Sequence, residues 1–144
     1  MSETTTKLRI DIVSAENEVF SGEADYIVAM GEAGEVGIAP GHMPLLAKLK
    51  PGEIRLRTGS TEDSFYVSSG ILEVQPHLVT VLADTVARAA DLDELAAIQA
   101  KERAEKALAD KKSEIDFTKA NAALAEAVAQ LRLISKLRDQ IKHS

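Results

Sequence analysis

Three histidines and a few closely spaced carboxylates are the side chains of this 144-residue chain best suited to act on a substrate. Imidazole can bind a metal or shuttle a proton, and two carboxylates can divide acid and base roles. The spacing supports neither. His42, His77 and His143 stand far apart, none with an i,i+4 or neighbouring ligand, so no metal site is expected. Asp91 and Asp93 read better as helix-start residues than as an acid–base couple. The chain has no cysteine, which removes disulfides and thiolate metal sites and fits a reducing compartment. No Gly-x-Ser-x-Gly elbow occurs, and the glycines match neither a P-loop nor a dinucleotide fingerprint. By elimination, this is a non-catalytic protein without a cofactor that works through its surfaces.

The surfaces must therefore be found. Residues 31–52, GEAGEVGIAPGHMPLLAKLKPG, hold five of the eight glycines and three of the four prolines. Such density lets the backbone turn sharply and approach its neighbours. The segment reads either as tight turns linking short strands or as a rim whose exposed Glu35 and His42 meet a partner. Charge supplies a second candidate. The net charge is −6, and residues 1–90 account for all of it, with 7 basic against 13 acidic side chains. After Glu126 the balance reverses, with Arg132, Lys136, Arg138 and Lys142 against Asp139 alone. That excess suits either an acidic partner or the macrodipole of a final helix. Acidity in the first part and only 3% aromatic residues disfavour nucleic-acid binding.

The elements that must position these residues fall into two kinds. Leu8, Ile10 and Ile12 alternate with Arg9 and Asp11, the period of a half-buried strand. Residues 26–30 read as a strand apolar on both faces, hence covered on both. Ile54 and Leu56 point in against Arg55 and Arg57, and Thr58-Gly59-Ser60-Thr61 forms a hairpin turn. Phe65 and Val67, Leu72 and Val74, and Val79 and Val81 continue the pattern, with interruptions at Ser69-Gly70 and Pro76-His77. Short strands with regular turn signals predict a β-sandwich or flattened barrel. From Ala87 onward there is neither glycine nor proline. Asp91 followed by Glu94 resembles an acidic capping box and starts a helix carrying Leu92, Leu95 and Ile98. A polar turn over 109–115 leads to a second helix capped by Asp116, with a stripe of Phe117, Ala120, Leu124, Ala127, Leu131 and Ile134. The expected architecture is a sandwich over residues 1–86 and an antiparallel two-helix hairpin over 87–144. Alanine seams bury little area, so the hairpin should be loosely held.

The glycine-rich run, preceded by VSAENEVFSGEADYI and followed by SGILEVQPHLVTVLADT, resembles the epsilon subunit of bacterial F-type ATP synthases. The similarity continues through Asp91-Leu92-Asp93-Glu94 to AEAVAQLRLI and covers nearly the whole chain. The resemblance implies a β-sandwich followed by a helical hairpin in the central rotor stalk. The sandwich would bind the gamma subunit and the c-ring, with the family's ring-facing carboxylate and histidine falling on Glu35 and His42. The hairpin would be regulatory. Extended beside gamma into the alpha and beta subunits, it would block ATP hydrolysis, with Arg132, Lys136 and Arg138 meeting an acidic loop of beta.

Some family members bind ATP through Ile/Leu-Asp-x-x-Arg-Ala at the start of the first helix. Here Leu92 and Asp93 match, but Ala96 takes the arginine's place, so nucleotide binding should be weak or absent. A sensor clamping ATP between hairpin and sandwich is the alternative reading. No apolar run approaches the roughly 20 residues that span a bilayer, and the N-terminus lacks a signal-peptide core. The expected location is peripheral, on the cytoplasmic face of the bacterial inner membrane, within the synthase complex.

Overall fold

A computed structural model describes residues 7–15, 17–110 and 114–142. Glu16, the middle of the expected turn at 111–113, and His143 lie outside the described residues. The chain divides into two compact units after Arg88.

Among the described residues, ten strands build the first unit: β1 (Leu8–Ser14), β2 (Glu18–Ala24), β3 (Tyr26–Gly31), β4 (Gly34–Ile38), β5 (Leu45–Leu49), β6 (Gly52–Thr58), β7 (Thr61–Val67), β8 (Gly70–Val74), β9 (Leu78–Ala83) and β10 (Val86–Arg88). They pair in the order β10-β7-β6-β3-β5-β8-β9-β1-β2, with β4 on β3. Every pairing is antiparallel except β1 with β9. The sheet folds back so that β2 lies against β6 and β10 against β1. Across the fold, Phe20 and Phe65 meet edge to face at 5.5 Å. The result is a sandwich that nearly closes as a barrel.

Alternation decides which side chains fill it. Leu8, Ile10 and Ile12 are fully buried, as are Ile54, Phe65, Leu72, Val79 and Val81. The expectation for β3 needs correction. Ile27 and Ala29 are buried, but Val28 and Met30 are only half-buried and Tyr26 is 39% exposed. One face of β3 is core and the other borders polar side chains. β10 has no counterpart in the expected strands. It forms because Ala87 and Arg88 pair with Tyr66 and Phe65 and the Arg88 guanidinium lies 5.0 Å from the Phe65 ring centroid. Composition shifts at Ala87, whereas the packing shifts after Arg88.

The second unit starts with a 3-10 turn, Ala89–Asp91, followed by α1 (Glu94–Asp110) and α2 (Glu114–Lys142). The helices pack on each other. Among the described residues their buried side chains are Ala97 and Ala104 in α1, and Ala120, Ala127 and Leu133 in α2. The alanine pairs are each seven residues apart, about two turns, so each recurs on one face. Small side chains let two helices pack closely, and most of the larger chains then stand on the flank. Hence Leu95 is 65% exposed, Ile98 and Phe117 are exposed, and Leu124, Leu131 and Ile134 are only half-buried. The expected apolar stripes were too wide. Asp116 is no cap either, because α2 begins at Glu114 and Asp116 lies within its first turn.

Gly70 is held by close approach rather than by an unusual backbone angle. It pairs with Leu49 on one side and Ala83 on the other. A Cβ there would run into the Leu82 carbonyl oxygen and stand 2.7 Å from Ala83 Cα. These are backbone atoms that cannot rotate away. Gly70→Ala is therefore expected to cost at least about 2 kcal/mol. Chemical denaturation monitored by circular dichroism checks this, and an unchanged midpoint would refute it.

Candidate functional site

The turn between β4 and β5 carries His42. Gly41 takes a φ of 85°, and its N–H donates to the Pro76 carbonyl at 2.8 Å. That bond ties the turn to the one between β8 and β9, which carries His77. The His77 carbonyl in turn accepts from Arg9 N–H at 2.9 Å. The two histidines, distant in sequence, thus sit on adjoining turns at one end of the sandwich. No third metal-ligating side chain joins them among the described residues. His42 Nδ1 lies 2.7 Å from the Met43 carbonyl. A carbonyl only accepts, so Nδ1 is the donor in this contact. Met43 beside it is 78% exposed.

Glu35 stands on a strand, not in a turn. It is the second residue of β4, opposite Met30 of β3. Arg55 Nη2 of β6 reaches across β3 to within 3.7 Å of Glu35 Oε1. The register explains the reach, because Arg55 pairs with Val28 and Val28 with Gly37, two residues along β4 on the same face. Tyr26, Val28, Glu35, Arg55, Arg57 and Glu62 line a shallow hollow of about 270 Å³ there. Glu35 and His42 are not brought together. Three strand residues, about 10 Å at 3.4 Å each, separate Glu35 from the start of the turn. Arg55 was legible only as an outward-facing arginine, since its partnership depends on pairing across three strands.

In the helical unit, the Asp93 side chain accepts from Ala96 N–H at 3.1 Å. Asp93 is thus the N-cap of α1, and Asp91 closes the preceding 3-10 turn instead. Leu92 follows that turn, its N–H donating to the Ala89 carbonyl. The basic residues near the end of α2 do not form one patch. Arg138 crosses to α1 and pairs with Glu94. Arg132 and Lys136, one helical turn apart, share a hollow with Ser135, Asp139 and Gln140. The charge excess read from the end of the chain is therefore partly offset by a carboxylate from the other helix.

Comparison with known proteins adds kinship to this geometry. A family model described as ATP synthase, Delta/Epsilon chain, beta-sandwich domain matches residues 7–89. A second, described as ATP synthase, Delta/Epsilon chain, long alpha-helix domain, matches residues 90–135. The ATP synthase epsilon chain of Nitrosococcus oceani is 57% identical over 135 residues, covering 93% of this chain and 96% of that one. That of Legionella pneumophila (strain Corby) is 55% identical over 143 residues, covering 99% of this chain and 100% of its own length. A chain in the cryo-EM structure of the Euglena gracilis mitochondrial ATP synthase, OSCP/F1/c-ring in rotational state 1, superposes with a TM-score of 0.77 at 17% identity. That alignment covers 89% of this chain and 81% of the other, and speaks for the fold.

The cap assignment is open to direct measurement. Asp93→Ala should cost about 1 kcal/mol and speed amide exchange in the first turn of α1, while Asp91→Ala should leave that turn protected. Equal effects from the two substitutions would contradict the assignment.

Proposed function

The chain belongs to the delta/epsilon family of ATP synthase chains, and on that premise we propose that it is the non-catalytic epsilon subunit of a proton-translocating F-type ATP synthase. What carries this reading is relatedness along both units at once, sandwich and hairpin in the same order. In it the sandwich joins gamma and the polar loops of the c-ring, with Glu35 and His42 as ring contacts. Their separation favours two points of attachment over a single pocket. Two spaced contacts resist turning of one body on another better than one, which suits a part of the shaft that transmits torque. Among the described residues no helix is long and apolar enough to cross a membrane. The subunit is placed at the cytoplasmic face of the bacterial inner membrane, held there by its partners.

The hairpin serves as a brake on hydrolysis. Little holds it closed. Each buried alanine contributes a methyl, about 0.8 kcal/mol for a group of that size, and among the described residues of the hairpin Leu133 is the one large buried chain. The Glu94–Arg138 pair has both side chains roughly half exposed and contributes about 0–1 kcal/mol. Extended, the 29 residues of α2 span about 44 Å, enough to enter the head between the alpha and beta subunits. There Arg138 exchanges Glu94 for an acidic group of beta, beside Arg132 and Lys136. Converting a 99:1 preference for the closed form into 1:99 requires about 5.5 kcal/mol of differential contact. That is more than ion-pair exchanges of about 0–1 kcal/mol each supply, so burial of apolar area against the head has to provide the rest. Nucleotide binding at Leu92 and Asp93 has no place in this scheme. Asp93 is committed to its cap, and alanine stands where ATP-binding members of the family carry arginine.

Ending the chain after Ala90 should leave assembly and proton-coupled synthesis in place and raise ATP hydrolysis by the assembled enzyme. A truncated enzyme hydrolysing at the intact rate would rule out the brake. Calorimetry on the isolated chain is expected to detect no submillimolar affinity for ATP, and such an affinity would restore the sensor reading.

A further inference from the structure

Glu35 does not stand alone on its face of the sandwich. A line of polar side chains crosses from β7 to β4. Ser64 Oγ donates to Glu53 Oε2 at 2.8 Å. Arg55 Nε lies 3.9 Å from Glu53 Oε1, and its Nη2 lies 3.7 Å from Glu35 Oε1. The carboxylates at the two ends differ in kind. The Glu53 side chain is 16% exposed and fixed by Ser64, while that of Glu35 is 58% exposed. One arginine therefore sits between an anchored, largely buried carboxylate and an exposed one.

We propose that Arg55 is an exchangeable counter-ion for Glu35, releasing it to a cationic group on the c-ring loop while Glu53 retains the arginine. This rests on the reading that Glu35 meets the ring. The physical case is a comparison of two states. Unbound, Glu35 is partly neutralised by Arg55, so it neither attracts nor misdirects distant cations. When a lysine or arginine of the ring takes the Glu35 carboxylate, Arg55 must not be left as an isolated, part-buried cation beside an incoming like charge. Glu53 prevents that, because a carboxylate accepts from several donors and its fixed position needs no reordering. Glu53 thus lowers the cost of letting Glu35 go. Arg55 and Glu53 are positioning residues in this scheme and neither touches the ring.

Opposite signs follow for two substitutions a few ångströms apart. Arg55→Gln removes the internal competitor and should tighten binding of the full chain to detergent-solubilised c-ring by about two- to fivefold, the range of an exposed ion pair. It should also steepen the salt dependence, since an uncompensated charge is more strongly screened. Glu53→Gln removes the arginine's second partner, commits it to Glu35 and should weaken binding by a similar factor. Both effects should vanish in the Glu35→Gln background. Arg57→Gln makes the same change in net charge beside a different carboxylate, Glu62, and should have the smaller effect. Thermal unfolding verifies that each variant is folded, and Arg55→Met serves if the glutamine variant is not. If Glu35→Gln leaves ring binding unchanged, the ring-contact reading itself falls, and the exchange with it. If Glu35→Gln weakens binding but Arg55 and Glu53 substitutions shift it the same way, or not at all, the exchange alone is overturned.

Discussion

One face of each strand fills a nearly closed interior with branched aliphatic side chains, and that filling dictates which residues look outward. Ile54 and Leu56 have no exposed surface to spare, so Glu53, Arg55 and Arg57 must take the other face. A slip of one residue in β6 would bury three charges and expose the core, and the β6–β7 pairing is locked against it over seven residue pairs. The polar line from Ser64 to Glu35 is therefore a by-product of the packing behind it. Its charges are placed to within one strand residue by groups that never touch solvent.

The helical unit is built on the opposite principle. Its seam consists mostly of methyl groups, with little area to remove from water. What orders each helix is local, the Asp93 cap and the absence of helix breakers, and the Glu94–Arg138 pair adds one exposed tie between the two. Capping and helix propensity stabilise each rod whether or not it lies against its neighbour. A helix secured this way can leave its partner without unravelling. That independence is the property an element moving between two sites needs.

How much could be read beforehand follows from the range of each interaction. Inward positions such as Leu8, Ile10, Ile12, Val79 and Val81 are legible because a period of two is a local signal. The order of sandwich then hairpin agrees with the family resemblance. The outward side of β3 was misread, because Tyr26, Val28 and Met30 are apolar and nothing local says what lies over them. The short β10 was missed because three residues carry no periodicity and its partners lie some twenty residues upstream. Asp91 followed by Glu94 has the spacing of a capping box, yet the cap is Asp93 two residues on, because Asp91 is taken up in the 3-10 turn that precedes the helix. Glu35 could be singled out as a polar residue in a glycine-rich stretch, but its arginine could not. That partnership is set by the register of three strands.

The alanine seam also has a thermal consequence. The heat-capacity change of a packing step scales with the apolar area it exposes, and methyl contacts expose little. Alanine has no rotamers to freeze or release either, so parting the helices carries almost no side-chain entropy. The balance between apposed and separated rods should accordingly follow a nearly straight line with temperature, without the dome-shaped curve of a leucine-lined interface.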